Sequence, residues 1–142
     1  MRSRVRMFAA SAATSLLLTV GTAAVGPSAS AASLTCTEAT RKYSASGEYM
    51  FIPVYYPTLN VNCLMRRGNT GGGVHYLQEV LRDQYGYNIA VDGDFGPATE
   101  SALKSLQSRL HITADGVYGP QTRDSICWPL YWEPDACWWY DE

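Results

Sequence analysis

The sequence predicts a mainly α fold: a small three-helix domain, stabilised by disulfides, with a short β-rich arm before it and an aromatic tail after it. Three observations predict it. Apolar residues recur at helical spacing in two stretches between positions 74 and 110. An eight-residue turn motif occurs twice, each copy containing the Gly-Pro pair that opens a helix. Four cysteines flank these stretches in a chain of 142 residues, a length that favours one domain.

The first 32 residues read as a secretory signal rather than as part of the fold. Arg2, Arg4 and Arg6 make a positive start, and no charge follows from Met7 to Val25. Ala29-Ser30-Ala31 supplies the small residues that a signal peptidase requires, so cleavage is expected after Ala31 or Ala32. The 19-residue uncharged run is rich in Ala, Ser and Thr and weakly apolar for a retained anchor, so no membrane contact is expected after cleavage. Loss of three arginines from 11 basic residues leaves 8 against 13 acidic, a charge of -5 in place of -2. That balance excludes nucleic acid as a partner, because phosphate requires a basic face.

All four cysteines, Cys36, Cys63, Cys127 and Cys137, follow the signal. An even number in a short exported chain predicts two disulfides rather than metal ligands or a catalytic thiol. The pairing stays open at this point. Cys63–Cys127 with Cys36–Cys137 would staple the ends of the helical region. Nearest-neighbour pairing, Cys36–Cys63 with Cys127–Cys137, is the equal alternative.

The arm is assigned to residues 33–63. Its β-formers Tyr43, Tyr49, Phe51, Ile52, Val54, Tyr55 and Tyr56 are interrupted by Gly47, Pro53 and Pro57. That pattern predicts short or edge strands packed on the main domain. The helical domain is assigned to 64–127. Thr70-Gly71-Gly72-Gly73 reads as a flexible lead-in. Val74, Leu77, Leu81 and Tyr85 then follow at helical spacing, and Gly86 is a natural stop. A second helix opens at Pro97, presents Ala102, Leu103, Leu106 and Leu110, and ends before Ile112. A third opens at Pro120 and runs to about Cys127, where Trp128-Pro129 ends it.

Asp92-Gly93-Asp94-Phe95-Gly96-Pro97-Ala98-Thr99 and Asp115-Gly116-Val117-Tyr118-Gly119-Pro120-Gln121-Thr122 match at an offset of 23, with five of eight positions identical. Asp-Gly makes a turn, the aromatic ring plugs the gap between helices, and Gly-Pro starts the next helix. Calcium does not fit Asp92 and Asp94: Gly96 stands at the fifth loop position and Leu103 at the twelfth, where Glu is required. No metal or other cofactor is expected.

Together these residues resemble the peptidoglycan-binding domain family of the three-helix type. The resemblance rests on Gly71, Val74 and Leu77-Gln78 in the first helix, the two Asp-Gly-x-Phe/Tyr-Gly-Pro-x-Thr turns, and Leu106-Gln107 between them. It spans about Leu64 to Ile126. Ile112 replaces the usual Gly-Leu pair, with His111 where Gly is common, and no catalytic domain accompanies these motifs. The resemblance implies non-covalent binding of peptidoglycan, through glycan or stem peptide, by a protein secreted or associated with the cell wall. Within the motifs the candidates for ligand contact are Gln78, Asp92, Phe95, Thr99, Asp115, Tyr118 and Thr122. Gln78, Asp115 and Tyr118 carry slightly more weight, and Phe95 suits the core.

The tail, 128–142, holds all four tryptophans, Trp128, Trp132, Trp138 and Trp139, with Tyr131 and Tyr140. It is expected to fold back against the tyrosines of the arm, or to expose an aromatic platform for a glycan or a protein partner. Both outcomes are compatible, with some rings buried and others exposed. Two histidines 36 positions apart offer neither a zinc set nor a triad. Turn and helix-start positions account for most of the carboxylates that a glycoside hydrolase would need. The sequence therefore points to a non-catalytic module. An interaction or inhibitor protein reusing the fold is the alternative, and a wall hydrolase ranks third.

Overall fold

The computed structural model describes residues 33–44, 46–133 and 136–140. The expected signal, 1–32, and its cleavage site lie outside the described residues. Strands β1 (Glu38–Tyr43) and β2 (Tyr49–Val54) pair antiparallel, with Glu38 opposite Val54 and Tyr43 opposite Tyr49. The Ser44 N–H donates to Glu48 O at 2.8 Å. Alternation from that pair turns the Pro53 nitrogen away from β1, so its missing N–H weakens no ladder bond. Met50, Ile52 and Val54 of β2 enter one hydrophobic cluster with Val74, Leu77, Leu81, Leu103, Leu106 and Ile126. The arm therefore packs on the main domain, as its composition predicts, and completes that domain's core.

Helix α1 (Gly72–Glu79) continues into one wide π turn, Val80–Gln84. Helix α2 (Pro97–Arg109) and helix α3 (Pro120–Ser125) each start on the proline of a repeat. The glycine run Gly71-Gly72-Gly73 caps and opens α1 and is a backbone crossing, not a flexible lead-in. A Cβ at Gly73 would stand 3.0 Å from Glu38 O, and the Gly73 N–H donates to Thr37 O at 3.2 Å. Only a chain without side chains lets the arm lie this close on the first turn of α1.

α3 stops at Ser125, short of the expected Cys127. Ile126 is extended, and Cys127–Pro129 form strand β3, paired antiparallel with β4 (Cys137–Trp139). The two strands also carry a disulfide. Cys127 lies opposite Trp139 and Pro129 opposite Cys137, and the Cα atoms of Cys127 and Cys137 are 5.2 Å apart across the pair. Cys36 and Cys63 meet at 5.1 Å because the Leu64 N–H donates to Leu34 O and the Cys36 N–H to Leu64 O. The bridges are nearest-neighbour, Cys36–Cys63 and Cys127–Cys137, and the Cys63–Cys127 staple is not formed. Among the described residues there are thus two two-stranded sheets and three α-helices. This is a disulfide-stabilised helical domain with more strand than a mainly α fold conveys. Among the described residues no helix is long and apolar enough to cross a membrane.

Two helices end on a residue in the left-handed region. The Tyr87 N–H donates to Leu81 O and the Gly86 N–H to Arg82 O, with Gly86 at φ 76. At the end of α2 the Ile112 N–H donates to Gln107 O and the His111 N–H to Ser108 O, with His111 at φ 56. The second end carries the paired bonds of a Schellman cap, and at Gly86 the π turn widens each bond by one residue; in both the left-handed residue is best a glycine. His111 bears the Cβ penalty that Gly86 avoids. Replacing His111 with glycine is therefore expected to raise unfolding free energy by about 0.5–1 kcal/mol, read by urea titration. A loss of stability would contradict the cap assignment.

Candidate functional site

The repeated turns are built around two glutamines, each 1% exposed. In α1, Gln78 Nε2 donates to Asp92 Oδ1 (2.9 Å), Asp94 O (2.9 Å) and Thr99 Oγ1 (3.0 Å). Its Oε1 accepts the N–H groups of Asp92 (3.1 Å) and Gly93 (2.8 Å). In α2, Gln107 repeats the pattern on the second turn. Its Nε2 donates to Asp115 Oδ1 (3.0 Å), Val117 O (2.9 Å) and Thr122 Oγ1 (3.1 Å), and its Oε1 accepts the Gly116 N–H at 2.8 Å. Each Asp closes its own turn by accepting the N–H two residues on, from Asp94 and Val117, at 2.9 Å. The amide satisfies both sides of a loop that would otherwise bury backbone donors and acceptors unpaired, at about 1–3 kcal/mol each.

One segment, 65–71, with a tight turn at Gly68, clamps both turns. Met65 and Tyr118 exchange backbone bonds of 2.9 and 2.8 Å. Four residues on, the Phe95 N–H donates to Asn69 O at 2.9 Å and the Gly71 N–H to Gly93 O at 3.0 Å. Phe95 and Tyr118 then fill the core at 2% and 0% exposure. Tyr118 stands edge-on to Trp128, its centroid 6.2 Å away.

The seven candidates drawn from the motifs are thus brought together by turn, not into one groove. Gln78, Phe95, Thr99, Tyr118 and Thr122 are buried. A ligand reaching the Gln78 amide or the Thr99 and Thr122 hydroxyls would have to break the networks above. The greater weight given to Gln78 and Tyr118 is corrected by this burial. Only Asp92 and Asp115 keep exposed edges. The Asp94 N–H and the Gln78 amide hold the Asp92 carboxyl below the usual carboxylate range. That stabilises the fold above the ordinary pKa, and the contribution is lost as pH falls through the lowered value. Among the described residues no three His, Cys, Asp or Glu side chains converge in a metal-holding group.

An open cleft of about 700 Å³ lies outside the motifs. Phe51 of β2 and tail residues 129–131 supply one part of its lining. Tyr76, Glu79, Asp83 and Gln84 supply another from α1 and its π turn. The tail reaches it because the Tyr131 N–H donates to Tyr49 O at 3.1 Å on the outer edge of β2. Trp128 is fully buried, stacks on Tyr76 at 6.1 Å and donates its Nε1–H to Arg123 O at 2.9 Å. Tyr131 stacks on Tyr49 at 4.8 Å, while Trp132 stays 73% exposed. The tail therefore folds back through Trp128 and Tyr131 and leaves the Trp132 ring exposed. Burial pushes the Tyr76 phenol up to about 12, against a backbone hydrogen bond from Phe51, so it is neutral at physiological pH. The Arg82 guanidinium holds the Asp83 carboxyl below its ordinary range. Motif reading misses this cleft, although Tyr76, Glu79 and Asp83 recur at three and four residues, a helical stripe beside the apolar one.

Residues 70–126 match the family model of the peptidoglycan binding domain. The chain is 38% identical over 64 residues to the zinc D-Ala-D-Ala carboxypeptidase of Streptomyces albus G, covering 44% of this chain and 25% of that enzyme. It is 30% identical over 92 residues to the N-acetylmuramoyl-L-alanine amidase CwlL of Bacillus licheniformis, covering 61% and 25%. The chain thus spans a quarter of the length of either relative. A peptidoglycan-binding protein from Clostridioides difficile, solved in complex with glutamine hydroxamate, is similar at 29% identity and a TM-score of 0.46. That likeness covers 59% of this chain and 53% of that one.

The network predicts an outcome for a near-isosteric change. Gln107→Glu places a carboxylate oxygen where Nε2 donates to three acceptors. A loss of about 2–4 kcal/mol in unfolding free energy is expected at neutral pH. The new carboxyl's folded pKa is raised above its unfolded value, so the loss is full above that folded pKa and shrinks as pH falls through it. Urea unfolding of the variant and the parent across pH 4–8 reads both effects. A loss independent of pH would contradict the donor role of Nε2.

Proposed function

We propose that this protein is secreted and attaches non-covalently to bacterial cell-wall peptidoglycan, changing no bond in it. The observation that carries the reading is the family match over 70–126, the segment that contains both glutamine-bound turns. In this reading residues 64–127 are the binding domain, and the 33–63 arm and 128–142 tail are its extensions. The relatives are wall hydrolases, and the stretch they share with this chain is a quarter of each. A shared attachment module accounts for that likeness without a shared reaction. Two disulfides suit an oxidising compartment outside the membrane. A net charge of -5 after signal removal gives no long-range pull toward an anionic wall, so short-range contacts must supply the affinity.

A second reading, attachment to another protein, is favoured by the exposed rings of Tyr43, Trp132 and Trp139, at 63, 73 and 57%. Sedimentation with purified insoluble peptidoglycan separates the two. The protein is expected to pellet with the polymer and to stay there as salt is raised, with no soluble muropeptides released. A folded protein left in the supernatant would overturn attachment to the wall and favour the second reading. Muropeptide release in the same tube would restore the hydrolase.

A further inference from the structure

The cleft lined by Phe51, Tyr76 and Tyr131 carries an inference that rests on the peptidoglycan reading and narrows it. We propose that this cleft binds the glycan strand of the polymer, an N-acetylated hexosamine chain, and not its stem peptide.

At about 700 Å³ the cleft is the size of a site for one or two sugar rings. Its lining is of two kinds. Phe51, Tyr76 and Tyr131 offer aromatic surface, and Glu79, Asp83 and Gln84 offer hydrogen-bonding groups. A hexopyranose has the same duality, with a face of C–H groups and an edge of hydroxyl and acetamido groups. Glu79 and Asp83 accept from hydroxyls, and the Gln84 amide both donates and accepts. The aromatic surface is fixed before any ligand arrives. Tyr131 lies stacked on Tyr49 at 4.8 Å, Trp132 meets its edge at 4.8 Å, and Arg41 caps Tyr49 from 5.0 Å. A platform held in place this way loses little freedom on binding.

Charge decides between glycan and peptide. Among the described residues no Lys or Arg lines the cleft, so carboxylate and phosphate groups have no cationic partner there. A stem-peptide ammonium group would need an uncompensated carboxylate. Asp83 already accepts two bonds from Arg82, at 2.6 and 2.8 Å. Glu79 is 41% exposed, so solvent screens its charge. Charge so screened attracts an ammonium weakly. Neutral hydroxyl donors over aromatic faces are the better complement.

The test follows backbone and side-chain amide resonances while neutral N-acetylglucosamine oligosaccharides, standing for glycan strands, are titrated into the protein. Shifts are expected at Tyr76, Gln84 and Tyr131. Tyr131→Ala should weaken binding about five- to tenfold. Glu79→Gln, on the other lining and far less disruptive to packing, should alter affinity without loss of fold. Shifts at the cleft with free stem peptides and none with glycan strands would overturn the proposal. So would glycan-induced shifts confined to other surfaces. Sedimentation with whole peptidoglycan, run alongside, separates the two levels: a protein that pellets while its cleft ignores glycan strands overturns the cleft assignment and leaves attachment standing.

Discussion

A buried primary amide that binds an Asp-Gly turn on both sides is the interaction on which the rest of this structure depends. Gln78 and Gln107 each donate to a carboxylate, a carbonyl and a hydroxyl while accepting backbone N–H groups. Both turns are irregular backbone brought against the core, where unpaired polar groups are costly. The amide removes that cost twice with one side-chain type. Only then can the Phe95 and Tyr118 rings enter the core and Pro97 and Pro120 start helices in the right places. The motif residues are thereby structural first, which moves the search for ligand contacts to surfaces that the motif does not build.

Those surfaces form where the segments around the domain meet α1 and its π turn. The arm lends β2 to the core and offers its outer edge, where the tail docks through Tyr131 on Tyr49. Trp128 and the Cys127–Cys137 bridge fix the start of the tail, so that its exposed rings are held on a rigid base. Arg123 adds to this hold: it is 2% exposed, donates to Val61 O and Asn62 Oδ1, and lies 4.2 Å from the Tyr140 ring. A cation stacked on an aromatic face in a desolvated position contributes about 2 kcal/mol.

The legible parts of this fold are those set by near neighbours. Pro97 and Pro120 announce helix starts and Gly86 a helix end, because proline and glycine act through their own backbone. His111 stands out in the sequence as a departure from glycine, and the structure gives the reason it matters, a left-handed cap. What lies hidden depends on partners distant in the chain. Gln78 meets a turn 14 residues on and Gln107 one 8 residues on, so no fixed spacing reveals the network. The extended residues after Ser125 end α3 early because they pair with a strand at 137–139. The cysteine pairing follows from the same strand and from the Leu34–Leu64 contact, neither of which leaves a local signal. The cleft is assembled from residues between positions 51 and 131, and composition showed only that its rings exist.

Amide hydrogen exchange by NMR tests the division between motif and surface most directly. The account predicts that the Gly93 and Gly116 N–H groups, and the side-chain amides of Gln78 and Gln107, exchange only through global unfolding. It also predicts that peptidoglycan fragments leave their resonances in place while shifting those around Tyr131. Fast exchange at those glycines in the folded protein, or fragment-induced shifts centred on the two glutamines, would contradict it.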